Sequence, residues 1–502
     1  MGVLDGLKPQ PVFHYFEEMT RIPRGSGNTR AISDYLAGFA RERGLETVQD
    51  EAGNVLVTVP ASPGREQLVP LMLQGHMDMV AVRETDSPVD PARDPLILRV
   101  DGDLLYAEKT SLGGDDGIAL AYFCALMEDR SLEHPVLYLL MTTDEETGMD
   151  GALALRPELL KAGYLINIDS EEEGVLLAGC AGGGRVHLSL SLPARREKGK
   201  CLDLRLAGLQ GGHSGIEIVR ERGNANLIAG RLLLALVDAG IPFAVRTFSG
   251  GTADNVIPSE ACLSIVLPEG EQDGINKISS VIENFVKIIR TELGKKDPEF
   301  RVSTEESSCG ASDAEWFCLT PEAAADVAGL LMTVPNGVQA MSADLAGLVE
   351  TSLNLGVMRL VMPDETDRED EPASLQLDFS VRSSRESSRD LLIRKLRIIA
   401  DRYGAASSVH GLYPGWAYDP ESILCRHFAE AFEKVYGKKP RIEAIHAGVE
   451  CGLFREKRPD LDCISLGPDL EHVHSTAECL HIASASRTWE YLKAALKSWD
   501  RT

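Results

Sequence analysis

The stretch LVPLMLQGHMD at residues 68–78 sets an apolar run of strand length directly before a histidine and an aspartate. Two later stretches place carboxylates after an apolar run in the same way, VLYLLMTTDEE at 136–146 and YLINID at 164–169. Residues 117–128, between the first stretch and the second, have helical apolar spacing. Short apolar strands that alternate with helices predict an α/β domain with a parallel-rich sheet. In such sheets ligands bind beyond the carboxyl ends of the strands, which is where these polar residues follow.

A different pattern begins near residue 186. Several later segments alternate apolar and polar residues as strands do, at 186–192, 202–207, 261–267 and 375–381, and others have helical spacing, at 225–239 and 275–293. This mixture predicts an α+β insert with a one-sided sheet over residues 186–400. From Tyr403 onward the pattern is α/β again. We therefore expect one domain formed by residues 1–185 and 401–502, interrupted by the insert.

The bulk properties of the chain exclude several classes of protein. Its 502 residues exceed what one hydrophobic core supports, and its net charge of -26 argues against nucleic acid or an anionic membrane as partner. Residues 1–10 lack a signal-peptide pattern, and no stretch approaches the roughly 18 apolar residues of a membrane-spanning helix. The ten cysteines are scattered without a Cys-x-x-Cys pair, which indicates reduced thiols. The expected location is the cytoplasm.

His76 and Asp78 stand two residues apart, so in an extended chain their side chains point the same way. The imidazole can bind a metal ion while the carboxylate orients the ring. Taken alone, a His-x-Asp pair is common, and a surface turn is the simpler interpretation.

The sequence GGDDG at residues 113–117 precedes the predicted helix. Three glycines around Asp115 and Asp116 suit a backbone that turns sharply at a metal ion. An aspartate before a helix also caps its N-terminus, and in isolation this alternative stays open. No lysine follows in the Walker pattern, so a phosphate-binding loop is not expected.

Glu145 and Glu146 are adjacent at the end of the second strand. One carboxylate can bind a metal ion while its neighbour accepts a proton from water. A solvated charged loop is the alternative. Asp169 ends the third strand in the same manner.

Together, these segments bring histidine and carboxylate side chains to one edge of the predicted sheet. Mixed donors without cysteine suit zinc, manganese or cobalt, and one bridging carboxylate can hold two cations roughly 3.5–4 Å apart. Ser214 beside His213 could suggest a serine hydrolase, but the nucleophile-elbow pattern requires glycine at position 216, where this chain has Ile216.

Eight stretches, spread over nearly the whole chain and in the same order, resemble the M20 metallopeptidases and, within them, the aminoacyl-histidine (Xaa-His) dipeptidase branch. They are LQGHMDMV, SLGGDDGIALA, TTDEETGMDGA, INIDSEEEG, GGHSG, GTADNVIP, HAGVECGLF and HVHST. The resemblance implies an α/β fold with a zinc-peptidase-like catalytic domain, in which a mixed sheet is flanked by helices, and an inserted α+β lid domain.

The resemblance also implies a centre of two divalent metal ions, zinc in the first place and cobalt or manganese as alternatives. Asp115 would bridge the ions, helped by a cis peptide to Asp116. The remaining ligands would be His76 and Asp169 for one ion, and Glu146 and His474 for the other. His472 and His446 are close enough in sequence to compete with His474 for this role.

Further residues have implied roles outside the metal shell. Glu145 would be the general base, Asp78 would orient His76, and His213 would stabilise the oxyanion. Four positions match the substrate-binding residues of the family: Asn255, Arg382, Gly448 and Glu450.

The implied activity is hydrolysis of dipeptides, either of Xaa-His type such as β-alanyl-histidine or with broad specificity. One alternative is another M20 amidohydrolase: a carboxypeptidase, a tripeptidase or an N-acyl amino acid deacylase. A non-catalytic metal-binding homologue is a second alternative, against which the presence of Glu145, Asp78 and His213 argues. The sequence leaves a homodimer open.

Overall fold

A computed structural model of the protein describes residues 2–268, 273–306, 315–363 and 371–502. The chain forms two compact units. Unit 1 consists of Met1–Cys180, Trp416–Ala444 and Val449–Thr502, and unit 2 consists of Ala181–Gly415 and Ile445–Gly448.

The helices of the described ranges, in chain order, are α1 (Gln10–Met19), α2 (Arg30–Glu42), α3 (Gly114–Glu128), α4 (Glu145–Gly148), α5 (Asp150–Ala154), α6 (Ala225–Asp238), α7 (Gly274–Leu293), α8 (Pro321–Thr333), α9 (Glu386–Tyr403), α10 (Ile423–Tyr436), α11 (Glu450–Lys457) and α12 (Ile482–Ser498). Short 3-10 helices span Pro157–Leu159 and Ile218–Arg220. None of the helices that the structure describes is long and apolar enough to cross a membrane.

The strands of the same ranges are β1 (Glu46–Gln49), β2 (Val55–Val59), β3 (Leu71–His76), β4 (Leu98–Asp101), β5 (Leu104–Ala107), β6 (Leu137–Thr142), β7 (Tyr164–Asn167), β8 (Val175–Cys180), β9 (Gly182–Leu192), β10 (Ala194–Ala207), β11 (Gly212–His213), β12 (Ala244–Gly250), β13 (Val256–Ile257), β14 (Ala261–Pro268), β15 (Arg301–Glu306), β16 (Glu315–Leu319), β17 (Gly337–Met341), β18 (Val349–Val361), β19 (Ala373–Ser383), β20 (Ala406–Tyr413), β21 (Arg441–Ile445), β22 (Asp462–Ser465), β23 (Leu470–Glu471) and β24 (Cys479–His481).

The main sheet of unit 1 is mixed and has the strand order β1-β2-β6-β3-β7-β22-β8-β21. Its central strands β6, β3, β7 and β22 are parallel, while β2 and β8 flank this group in antiparallel orientation. Every residue of β3 is buried, which explains its continuous apolar run. The parallel strands end at one edge, because His76 pairs with Thr142 and Gln74 with Asn167.

Helix α3 follows the GGDDG sequence and is buried from Gly114 to Met127. A helix that is apolar all round belongs inside a core rather than on a surface. It packs with α1, α12 and the sheet in one hydrophobic cluster, so the start of α3 is fixed within the core of unit 1.

Unit 2 contains an antiparallel sheet with the order β14-β10-β16-β12-β18-β19-β9-β20, to which β15 and β17 add. Alternate residues of its strands face a core shared with α6, α7, α8 and α9, for example Val186, Leu188 and Leu190 of β9. This arrangement matches the one-sided α+β pattern that the sequence predicts.

The limits of unit 2 differ from the predicted limits of 186 and 400. Strand β9 already begins at Gly182. Strand β20 pairs with β9, Ala406 opposite Ser189, so the residues just after α9 belong to the insert rather than to the α/β unit. The nine cysteines in the described part of the chain are free thiols.

Gly467 follows β22 and lies against the backbone of Ser170, the residue after Asp169. A Cβ atom at position 467 would overlap the carbonyl oxygen of Ser170, so backbone would have to move. We predict that Gly467→Ala lowers the free energy of unfolding by about 1–3 kcal/mol, as overpacking does. Denaturant titration monitored by circular dichroism measures this loss.

The matched control is Gly38→Ala in α2, where a Cβ atom meets nothing within 4 Å. Alanine in a helix interior is expected to raise stability by up to about 1 kcal/mol. Equal stability of the Gly467→Ala and Gly38→Ala variants would contradict the close approach at Ser170.

Candidate metal centre

His76 is the last residue of β3, and its ring is buried against two carboxylates. Its Nε2 atom lies 3.0 Å from Asp115 Oδ1 and 3.3 Å from Asp169 Oδ1. Asp169 follows β7 by two residues, and Asp115 stands at the start of α3. Unit 1 therefore brings together three of the side chains that the sequence proposes as metal ligands.

His474 approaches the same carboxylate from the opposite side. Its Nε2 atom lies 3.1 Å from Asp115 Oδ2 and 2.9 Å from Glu146 Oε2. The two oxygens of Asp115 thus face one histidine each, as a carboxylate shared between two ions would. The competing residue His446 lies in unit 2, where its Nε2 atom is 2.7 Å from Ser352 Oγ.

The backbone around Asp115 is not that of an ordinary capped helix. Gly113 has φ 66°, Asp115 and Asp116 have non-helical dihedral angles, and the N-cap position of α3 is Gly113, which has no side chain to cap the helix. The N-cap alternative for these aspartates is therefore wrong. The peptide between them is cis, as the family resemblance implies. The Asp116 carboxylate accepts a hydrogen bond from the His76 amide at 3.2 Å.

Asp78 connects His76 to the start of helix α4. One carboxylate oxygen lies 3.4 Å from His76 Nδ1, and the two oxygens accept hydrogen bonds from the amides of Glu145 and Glu146 at 3.0 and 3.2 Å. The Ser26 hydroxyl donates a further bond at 2.8 Å. Although burial raises the pKa of Asp78, the bonds to His76 and Ser26 lower it to about 2. Asp78 is therefore an anion held by hydrogen bonds beside the His76 ring, whose Nδ1 atom also lies 3.1 Å from the Asp78 backbone carbonyl oxygen.

Glu145 and Glu146 begin helix α4 rather than a solvated loop, and both are half-buried. Burial raises the pKa of Glu145 well above its usual range, and the negative charges of Asp169 and Glu450 raise it further. Such an environment favours the protonated form of the carboxyl group and makes its ionised form a stronger proton acceptor.

The donor atoms fit divalent cations. Two sets of them lie within 4.8 Å of one another, one from His76, Asp116 and Asp169 and one from His76, Asp115 and Glu146. Glu146 Oε1 is buried and has no hydrogen-bond partner among the residues that the structure describes. Buried carboxylates and histidines without cysteine suit zinc, cobalt or manganese.

The other predicted site residues are divided between the units. His213, Asn255, Arg382 and Gly448 lie in unit 2. The Nη1 atom of Arg382 donates to the Tyr413 hydroxyl at 3.1 Å, and its buried Nε atom has no partner in the described part of the chain. The backbone carbonyl of Asn255 accepts a hydrogen bond from the Ser214 amide at 2.8 Å.

Glu450, predicted as a substrate contact, lies in unit 1 and is completely buried. Its Oε2 atom accepts hydrogen bonds from Gln74 Nε2 at 2.6 Å and from Thr142 Oγ1 at 2.9 Å. Burial raises the pKa of this carboxyl to about 8. These contacts tie Glu450 to the ends of β3 and β6, a role that its sequence neighbours do not indicate.

Sequence reasoning missed Arg24, Ser26 and Glu478, which contact the backbone or side chains of this centre. Two sequence features could have pointed to these residues: the glycine-containing RGSG at residues 24–27 and the position of Glu478 four residues after His474. Neither pattern by itself indicates a metal site.

The sequence profile of peptidase family M20/M25/M40 matches residues 72–498, which include every proposed ligand. The chain belongs to this family. The family resemblance inferred from sequence is thereby confirmed, and the M20 peptidases are metal-dependent.

Individual relatives extend over the whole chain. The cytosol non-specific dipeptidase of Escherichia coli (strain K12) is 35% identical over 507 residues, 99% of both chains. The crystal structure of aminoacylhistidine dipeptidase from Vibrio alginolyticus is 33% identical and has a TM-score of 0.89, covering 99% of this chain and 98% of that one. The predicted α/β fold with an α+β insert is confirmed by this likeness.

A more distant structure, aminopeptidase PepT from Bacillus cereus, is 14% identical with a TM-score of 0.60 and covers 98% of both chains. At this identity the M20 chain described here shares with PepT the fold alone.

Metal binding to this M20 protein should release protons. Hydrogen bonds to Asp115 and Glu146 raise the pKa of His474 to about 11, so a cation that takes its ring nitrogen must displace a proton. Affinity is therefore expected to fall as the pH is lowered. Isothermal titration of the metal-free protein with zinc, in buffers of different ionisation enthalpy, counts the protons released.

The variant His474→Ala provides the comparison, because it lacks the proton that the cation must displace. It should release about one proton fewer than the wild type. Identical proton release from both proteins would contradict the involvement of His474.

Proposed function

We propose that this protein is a metal-dependent dipeptidase that uses two divalent ions and Glu145 to hydrolyse the peptide bond. The observation that carries the proposal is the Asp115 carboxylate, whose two oxygens face His76 and His474 at 3.0 and 3.1 Å. Glu145 is held beside this pair through the bond from its amide to Asp78.

The choice of dipeptides is supported by the two full-length relatives, one named a non-specific dipeptidase and the other an aminoacylhistidine dipeptidase. Dipeptides with a C-terminal histidine, such as β-alanyl-histidine, are our first choice of substrate within a broader range. The Escherichia coli relative is named a cytosol enzyme, and we assign the same location to this protein.

The two ions, zinc in the first place and cobalt or manganese as alternatives, would share Asp115. His76 and Asp169 would complete one site, and Glu146 and His474 the other. Once bound, such ions polarise the peptide carbonyl and lower the pKa of a water molecule near them.

Glu145 then moves the protons of the reaction. Its carboxylate accepts a proton from the attacking water as the new C–O bond forms, and it passes this proton to the amine as the C–N bond breaks. The raised pKa of Glu145 suits both transfers. The Asp78 carboxylate contacts both the Glu145 amide, at the start of helix α4, and the His76 ring, and so fixes their relative positions.

His213 is proposed to stabilise the oxyanion. Its Nδ1 atom accepts hydrogen bonds from the amides of Gly215 and Ile216, both at 3.3 Å, so the proton of the neutral ring stands on Nε2. Burial and the nearby charge of Arg382 lower the pKa of His213, which keeps the ring neutral at physiological pH. A neutral ring fixed in this tautomer presents one N–H donor, as an oxyanion site requires.

Arg382 is proposed to hold the carboxylate end of the substrate, and Asn255 and Gly448, also in unit 2, are proposed as further substrate contacts. The Nε donor of Arg382, which has no partner among the residues that the structure describes, and the bond of Arg382 to Tyr413 support this role. A guanidinium with an unused donor suits a carboxylate partner. Because these proposed substrate contacts lie in unit 2, we assign the lid of the family to unit 2. Gln74 and Thr142 bind only the Oε2 atom of Glu450, while its buried Oε1 atom has no hydrogen-bond partner in the described part of the chain, and Glu450 stays a proposed substrate contact.

The substitution Glu145→Gln tests the general base. Glutamine keeps the shape of the side chain but accepts no proton, so kcat should fall by about 10²–10⁴-fold while the metal content is unchanged. Steady-state kinetics on β-alanyl-histidine and metal analysis of the same sample measure both quantities.

The control is Glu172→Gln, an exposed glutamate paired with Arg441, which should keep the wild-type kcat. Near-normal turnover of Glu145→Gln would contradict the proposed role of Glu145 as the general base. Loss of metal together with activity would instead make Glu145 a ligand.

A substrate panel tests the choice among M20 activities. Zinc-loaded protein should hydrolyse dipeptides in preference to tripeptides and N-acyl amino acids. C-terminal amidation of a dipeptide should lower kcat/KM by about 10- to 100-fold, because Arg382 loses its charged partner. A preference for tripeptides or N-acyl amino acids would assign another activity of the family, and no hydrolysis by loaded protein would indicate a non-catalytic homologue.

A further inference from the structure

Arg24 is an arginine only 2% exposed, and it lies beneath the loop that carries Asp115. Its Nη1 atom donates to the backbone carbonyls of Met77 and Asp78, both at 2.9 Å. Its Nη2 atom donates to the carbonyl of Gly113. One rigid guanidinium therefore binds the backbone after His76 and the backbone before Asp115, and it fixes the spacing of these two segments.

Glu478 is also only 2% exposed and binds the same loop from its amide side. Its Oε2 atom accepts hydrogen bonds from the amides of Leu112 and Gly113 at 2.9 and 3.1 Å. Its Oε1 atom accepts from the amides of Gly114 and Asp115 at 2.7 and 3.4 Å. Four successive amides on one carboxylate hold the loop in a single conformation.

Glu478 also belongs to the segment that carries His474. Its amide donates to the carbonyl of Ser475 at 3.3 Å, so the turn after His474 is closed by the residue that binds the Asp115 loop. The two glycines of the loop permit close packing around it, because a Cβ atom at Gly113 would collide with Met79 and Arg24 and one at Gly114 would collide with Leu470.

We propose that Arg24 and Glu478 are positioning residues that hold His76, Asp115 and His474 in their metal-binding arrangement before the ions bind. Arg24 joins the first two segments, and Glu478 joins the second to the third. The inference rests on the proposed metal-binding role of these three residues and not on the choice of substrate.

Arg24 and Glu478 are both ionisable groups in the interior, and their opposite charges help to offset the cost of burying them. Backbone carbonyls and amides alone would not offset the removal of a guanidinium and a carboxylate from water. Here the positive charge of Arg24 lies near the negative charges of Glu478, Asp78 and Asp116. A neutral residue at position 24 would leave these buried carboxylates without that cation.

Cobalt binding to the metal-free protein tests the proposal without any assay of hydrolysis. The variants Arg24→Lys and Glu478→Gln each remove part of the bonding to the loop while keeping a polar group. We expect each to weaken cobalt binding by about 10- to 100-fold, as loss of a residue supporting metal ligands does, and to alter the visible absorption of the bound ion. A purely structural role would lower the melting temperature and leave the spectrum unchanged.

Two controls in unit 1 make the same kinds of bonds to other segments. Arg458 donates to the carbonyls of Leu160 and Ala162 at 2.7 and 2.8 Å, and Asp462 accepts from the Leu424 amide at 3.0 Å. Arg458→Lys and Asp462→Asn should keep the wild-type cobalt affinity and spectrum. The proposal is overturned if Arg24→Lys and Glu478→Gln fold and bind cobalt as the wild type does, or if the controls lose as much affinity.

Hydrogen exchange of the metal-free wild type keeps the test open if the variants do not fold. The amides of Leu112, Gly113, Gly114 and Asp115 should be protected before any ion is added, because Glu478 binds them. Exchange at the rate of an unstructured peptide would overturn the proposal. Tight cobalt binding without hydrolysis of any dipeptide would refute the proposed activity and leave this inference standing.

Discussion

The two-sided contact of Asp115 is the interaction on which the centre depends. Its carboxylate meets His76 and His474, which are separated from it by 39 and 359 residues of chain. The carboxylates of Asp116, Glu146 and Asp169 lie near the same imidazole rings. Buried acids so close together repel one another unless cations offset their charge, which is why histidine, arginine and a divalent ion are the appropriate partners here.

The positions of several residues of this centre can be predicted from the sequence, because each of them directly follows an apolar strand. His76 ends β3, Glu145 and Glu146 follow β6, and Asp169 follows β7, so three apolar runs and the known edge of parallel strands suffice. The mixed sheet and the antiparallel insert follow from the same periodicity. Each motif alone has an ordinary structural explanation and does not establish a function. The functional assignment depends on finding all of the motifs together, in the order in which the family has them.

The rest depends on contacts that leave no local pattern. Glu478 binds amides of a loop in which Gly113 has φ 66°. The sequence around Gly113 and Glu478 predicts neither this loop conformation nor the contact. Glu450 stands two residues after Gly448 in sequence, but its carboxylate lies in the interior of unit 1 beside Gln74. The sequence pattern places strand β20 in the α/β domain rather than in unit 2, because its partner β9 precedes it by more than two hundred residues along the chain, as in the pairing of Ala406 with Ser189.

The two units carry opposite kinds of chemistry, and each arranges its own. Unit 1 concentrates carboxylates and so selects cations. In unit 2 the guanidinium of Arg382 lies near His213 and His446, and burial together with that positive charge lowers the pKa of both histidines, that of His446 to about 3. Both rings are thus neutral near pH 7 and add no charge to that of the guanidinium. In unit 1 the pKa of Glu145 shifts in the opposite direction, because burial and the neighbouring carboxylates raise it well above its usual range.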